Sequence, residues 1–138
     1  MKKIFSFAVT LLLCLSIIAV SAYALSIPSG SATCAISSNQ ASSYTKTVYG
    51  KYKYFGGHND KESSRKLTVC SQFFDASSNG FLYDEKIALD PGFEFQGRKT
   101  REFPVANAWR VQLKPYASYS SGCIGQGYIF RNQQIEEP

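Results

Sequence analysis

Between Ala108 and Lys114 the side chains alternate without a slip: Trp109, Val111 and Leu113 are apolar, while Arg110, Gln112 and Lys114 are polar or charged. Successive side chains of an extended strand point to opposite faces, so this segment has one face for a core and one for water. Wound into a helix, the same residues would scatter around the axis. Weaker versions of the pattern recur. Thr33 to Ser38 places Cys34 and Ile36 on one face. Arg65 to Phe74 sets Leu67, Val69 and Phe73 against Thr68, Cys70, Gln72 and Phe74. Gly122 to Phe130 carries Gly125 and Gly127 on the Cys123 face, where a missing side chain lets a bulky neighbour approach. Tyr44 to Phe55 reads as one long strand, with Tyr44, Val48, Tyr52 and Tyr54 opposite Thr45, Thr47, Tyr49, Lys51, Lys53 and Phe55.

Turn chemistry separates these segments: Gly56-Gly57-His58-Asn59-Asp60, Asp75 to Gly80, Asp90-Pro91-Gly92, Gln96-Gly97-Arg98 and the Ser/Tyr-rich stretch from Pro115 to Gly122. Helical periodicity is absent beyond two turns at Phe81 to Leu89. Short strands joined by such turns predict an all-β fold, a small single-domain antiparallel β-sandwich or partly closed barrel of about six to eight strands. At 138 residues there is chain for one domain, and 44% hydrophobic residues can bury its core.

The first 24 residues read as a secretory leader: Lys2 and Lys3, an apolar stretch from Ile4 to Val20, then Ala22-Tyr23-Ala24 with small residues at the −3 and −1 positions. Cleavage is predicted before Leu25, with the bond before Tyr23 as the competing site. An uncleaved anchor is the alternative, since the apolar stretch just reaches membrane-spanning length. Cys14 follows Leu13 rather than a small residue and reads as part of the apolar stretch. Residues 25–31 then form a polar linker, 32–131 the sandwich domain and 132–138 a disordered acidic tail. Removing Lys2 and Lys3 lowers the formal net charge from +5 to +3, a mild bias that excludes charge alone as a sign of nucleic-acid binding. The leader, together with the absence of an N-x-[ST] acceptor, fits a bacterial protein acting outside the cytoplasm.

Export to an oxidising compartment predicts one disulfide among Cys34, Cys70 and Cys123, with Cys34–Cys123 preferred and Cys70 as the alternative partner of Cys123. None of the three has C-x-x-C spacing, and His58 is distant in sequence from all of them, so no metal site is predicted. Asp75, Ser77, Asn79 and Gly80 imitate the start of a calcium loop, but the twelfth position is Lys86 where a bidentate Glu is needed. Asn79-Gly80 reads instead as a hairpin turn, and no cofactor is expected. His58, Asp60 and Glu62 alternate and would share a face on an extended segment, yet the glycines before them favour a polar loop tip. There is no G-x-S-x-G elbow and no nucleophile–base pair, so the chain is not read as an enzyme. A small hydrolase built on His58 is the least favoured reading.

What remains is the interleaving of rings and ammonium groups from Tyr44 to Phe55. Tyr49, Lys51, Lys53 and Phe55 have the same parity and would form one open face, a surface for an anionic partner. Ordinary strand composition, with lysines guarding an edge, explains the same residues without a ligand. The sequence therefore predicts a small secreted, non-catalytic binding protein. Its partner would be an anionic envelope polymer, a membrane surface or another protein, with no nucleic acid. A secreted bacteriocin-like antagonist of competing cells is the alternative.

Overall fold

The computed structural model describes residues 30–130; the predicted leader and most of the linker, and the acidic tail, lie outside the described residues. Nine strands and no helix make up this region: β1 (Ala32–Ile36), β2 (Ser43–Tyr44), β3 (Val48–Gly50), β4 (Tyr54–Asn59), β5 (Leu67–Asp75), β6 (Gly80–Leu89), β7 (Glu94–Lys99), β8 (Asn107–Pro115) and β9 (Gly125–Phe130). They form two antiparallel sheets. One is four-stranded in the order β1-β9-β4-β7; the other runs β2-β8-β5-β6, with β3 also paired to β8. The sheets stay separate, so the sandwich is the correct alternative and the barrel is not. Every connection crosses between sheets except β2–β3 and the β5–β6 hairpin.

The alternation read at Ala108 to Lys114 is the inner and outer face of β8. Trp109, Val111 and Leu113 are each 0% exposed and pack in one cluster with Val69, Phe55, Ile129 and Leu67. Trp109 also tilts against Phe73 and Phe103, at ring separations of 5.9 and 5.5 Å. Its indole N–H donates to the Gly50 carbonyl at 2.9 Å, so the one polar group of this side chain has a partner inside the core. Opposite β8, the four-stranded sheet brings Phe55 and Ile129 to the core but leaves room beside them at its glycines. A Cβ at Gly127 would come within 2.8 Å of a Leu113 methyl, and one at Gly57 within 2.6 Å of a Val69 methyl. Gly125 and Gly127, the glycines predicted to admit a bulky neighbour, do so, Gly125 against a Leu67 methyl at 2.7 Å.

Four expectations need correction. Gly56-Gly57-His58-Asn59, read as a turn, is the C-terminal part of β4, and Gln96-Gly97-Arg98, also read as a turn, lies within β7, because ladder pairing to neighbouring strands overrides the local turn preference. Tyr44 to Phe55 is not one strand. The chain leaves the five-stranded sheet after Gly50 and enters the four-stranded sheet at Tyr54. The crossing segment bonds to a loop instead of a strand, Phe103 N–H donating to Lys51 O and Thr100 N–H to Lys53 O, both at 2.9 Å. Nor do the cysteines pair: Cys34, Cys70 and Cys123 are all free thiols. Cys34 lies on β1 opposite Gly127, about 13 Å of extended chain away from position 123. Cys70 sits opposite Gln112 and Lys86, on the outer side of the other sheet. Disulfide geometry requires Cα atoms within about 7 Å and converging Cβ vectors, which this placement denies.

The open flank between the β6 and β7 edges is stitched by ion pairs. Arg98 makes a forked contact with Glu85, at 2.7 and 3.1 Å, and Arg101 Nε donates to Asp84 at 2.6 Å. Asp84 also accepts the Arg101 backbone N–H at 3.1 Å. A β-bulge in β6 turns these carboxylates toward the neighbouring sheet.

Because Trp109 fills the core with ring contacts on both sides and a satisfied N–H, Trp109→Ala should cost about 3–5 kcal/mol. That is a large part of the roughly 5–15 kcal/mol available to a domain of this kind. Chemical denaturation of wild type and variant measures the difference, and a loss below about 1 kcal/mol would show that the indole is not a core element.

Candidate functional site

The register of the five-stranded sheet collects a second set of side chains on its outer face. Cross-strand pairing sets Tyr44 beside Gln112, Cys70 between Gln112 and Lys86, Gln72 between Arg110 and Tyr83, and Phe74 beside Phe81. These are the polar positions of the alternating segments at 65–74 and 108–114, brought alongside residues of β2 and β6.

Hydrogen bonds tie them into one layer. Gln112 Nε2 donates to the Tyr44 hydroxyl at 2.7 Å, and its Oε1 accepts from the Tyr83 hydroxyl at 2.9 Å and from Gln72 Nε2 at 3.2 Å. Arg110 Nε donates to Gln72 Oε1 at 2.7 Å, and Lys114 Nζ donates to the Tyr83 hydroxyl at 3.2 Å. Gln72 and Gln112 are only 4% and 6% exposed, so their amides are desolvated, and a network saturated in this way holds one arrangement.

Rings and cations cover this amide layer. The Arg110 guanidinium carbon lies 4.0 Å from the centroid of Phe81 and 4.4 Å from that of Tyr44. Tyr83 receives two ammonium groups, Lys86 at 3.9 Å and Lys114 at 4.9 Å. No carboxylate occupies the positions of β2, β3, β5, β6 and β8 that share this face. Among the described residues, Lys86, Arg110 and Lys114 enter no ion pair. Their partners are ring faces and the neutral oxygens of Gln72 and Tyr83, with no opposite charge, which leaves the face electropositive.

At its β3 end the face continues into an open depression of about 460 Å³ lined by Thr47, Tyr49, Phe74, Phe81, Ala106 and Ala108. Phe81 belongs both to this wall and to the Arg110 stack, so apolar volume and cationic surface are contiguous. Tyr49 is 68% exposed, and Tyr44 and Tyr83 are also open to solvent.

The residues proposed from the sequence separate. Tyr49 lies in this depression and Lys51 is exposed on the crossing segment. Lys53 is 1% exposed, and its backbone N–H donates to the Thr100 hydroxyl at 2.9 Å. Phe55 is wholly buried, edge-on to Phe95 at 5.3 Å. The four therefore do not make one open face, because the sheet crossing at 51–53 resets the parity. Sequence reasoning missed Tyr44, Arg110, Gln112, Lys114, Gln72, Tyr83 and Lys86 as a site. The polar half of the alternation at 108–114 was the available signal.

The other candidates resolve into local structure. Asp75 accepts the Ser78 N–H at 2.9 Å, and the Ser78 hydrogen bonds hold its carboxyl below the usual range. Asn79 takes a left-handed conformation at φ 52°, so the segment is the turn of the β5–β6 hairpin. His58 lies on β4, whereas Asp60 has left the strand and its Oδ1 accepts the Glu62 N–H at 2.9 Å, so the three share no face. No group of metal-ligating side chains occurs among the described residues.

No family model and no curated protein matches the chain. Two solved structures are distantly similar to it. The crystal structure of PirA has a TM-score of 0.41 and 10% identity, over 74% of this chain and 93% of that one. The crystal structure of the Yersinia pseudotuberculosis-derived mitogen has a TM-score of 0.40 and 11% identity, over 78% and 88%.

All three thiols of the described residues are suppressed. Burial pushes Cys34 up to about 11, against smaller opposing pulls from Ser43 and the Gly127 backbone. Burial also raises Cys70, outweighing the nearby Lys114 and Lys86, and raises Cys123 despite Arg65. The thiolate is the reactive form, so the folded protein should be nearly inert to iodoacetamide at neutral pH. Labelling of Cys34, followed by mass spectrometry, should keep accelerating as pH rises toward 11. A plateau near the ordinary thiol value, or isolation of a Cys34–Cys123 cross-link from native protein, would contradict this placement.

Proposed function

We propose that this chain is a small secreted, non-catalytic binding protein. It holds an anionic polymer of the cell envelope on the outer face of its five-stranded sheet. One observation carries the reading: three cations, Lys86, Arg110 and Lys114, are seated on aromatic rings with no carboxylate on their face. Such seating fixes the position of each charge while leaving it unneutralised, the condition for meeting phosphate or carboxylate groups with little ordering cost. The depression beside Phe81 accommodates an apolar or ring portion of the same ligand. Cys70 lies under this face but is kept a neutral thiol by burial, which favours binding over covalent chemistry there. The leader read at residues 1–24 supports action outside the cytoplasm.

Retention on an immobilised phosphodiester wall polymer should fall steeply with added salt, since screening shortens from about 10 Å at 0.1 M to about 3 Å at 1 M. Lys86→Glu combined with Lys114→Glu should abolish retention. Neither ammonium is part of the core, so stability should stay within roughly 1 kcal/mol of wild type. Salt-independent retention, or equal retention of both proteins, would remove this face as the binding surface.

A further inference from the structure

The outer face of the four-stranded sheet has a different chemistry. Its register sets Tyr54 beside Phe130, Gly56 beside Tyr128, and His58 beside Gln126. Thr33 flanks Tyr128 on the β1 side, and Glu94 flanks His58 on the β7 side. Tyr54 and Phe130 are 5.9 Å apart and within 19° of parallel; Phe130 and Tyr128 are 5.9 Å apart at 30°. Tyr52 ends the row, edge-on to Tyr54 at 5.9 Å.

Gly56 determines how this row is presented. A Cβ at position 56 would meet Cε2, Cζ and the hydroxyl oxygen of Tyr128, each at 2.5 Å. The far half of the ring thus occupies the space a side chain would fill. Tyr128 lies across β4 over Gly56, its hydroxyl donating to the Phe95 carbonyl at 3.1 Å, and the residue stays partly exposed.

Around this flat ring stand an amide, an imidazole, a hydroxyl and a carboxylate: Gln126, His58, Thr33 and Glu94. Among the described residues, none of the side chains of His58, Gln126 and Thr33 is engaged in a hydrogen bond. Lys99 stands 4.2 Å over Tyr52 but is paired with Glu102 at 3.0 Å. A phosphate polymer would meet Glu94 and little free positive charge here. A neutral sugar meets a ring face for its C–H groups and planar polar groups for its hydroxyls. We propose that this face is a second binding site, which takes a neutral polysaccharide by stacking a sugar ring on Tyr128 and hydrogen-bonding it through Gln126 and His58.

The test is affinity electrophoresis of the native protein through gels containing a soluble β-glucan, a galactomannan or soluble starch. Wild type should be retarded by at least one, and high salt should leave the retardation unchanged. Tyr128→Ala should weaken binding about tenfold, the order of a lost ring stack, while Tyr128→Phe keeps it. Gln126 is exposed and outside the core, so Gln126→Ala should bind several-fold more weakly with an unchanged melting temperature. Lys86→Glu with Lys114→Glu, on the opposite sheet, should migrate as wild type does. The proposal fails if no glycan retards wild type, or if Gln126→Ala is retarded equally. It also fails if folded Tyr128→Ala binds as tightly, or if a single-stranded oligonucleotide binds in place of any neutral glycan.

Discussion

Leu67, Val69, Val111 and Leu113 project from the five-stranded sheet into places where the four-stranded sheet has no side chain. Gly125 receives Leu67, Gly57 receives Val69, and Gly127 receives Leu113 and Val111. Methyl groups and backbone come into contact that any Cβ would prevent, so dispersion is gained over the whole interface. On β4 and β9 the inner face carries Phe55 and Ile129 between these glycines, while Tyr54, Tyr128 and Phe130 stand on the outer face.

Much of this was legible in the residues. The alternation at 108–114 and at 65–74 gave the inner and outer faces of β8 and β5 correctly, because both strands run straight through one sheet. The glycine pair at 125 and 127 was read as room for a neighbour, and Asn79-Gly80 as a turn. The stretch from 44 to 55 misled for a definite reason. Parity is preserved only along a continuous strand, and residues 51–53 carry the chain from one sheet to the other. Tyr49 and Phe55 have the same parity and opposite fates.

The cationic face was legible only in part: the alternation at 108–114 puts Arg110, Gln112 and Lys114 on one side of their strand, but spacing does not say which residues of other strands lie beside them. Tyr44, Gln72, Tyr83 and Arg110 come from four strands, and only the register puts Arg110 between two rings and Gln112 among three polar partners. The expected disulfide failed on the same point. Counting thiols says that a pair is favoured if the chain is exported, while the sheets place Cys34 inside one layer and Cys70 outside the other. The outcome is a sandwich with two chemically unlike faces, one rich in unpaired cations, the other in flat rings and neutral polar groups.

The ion pairs along the open flank have a further consequence. β6 and β7 are the outermost strands of their sheets on that side, and each therefore has a row of backbone groups unused by any ladder. Arg98–Glu85 and Arg101–Asp84 span the gap between those two edges. A strand from another molecule approaching either edge would have to displace guanidinium groups already fixed to carboxylates before it could form a ladder. The stitches thus act as a barrier to self-association. On this flank of the described region, two exposed edges are thereby guarded against pairing with another copy.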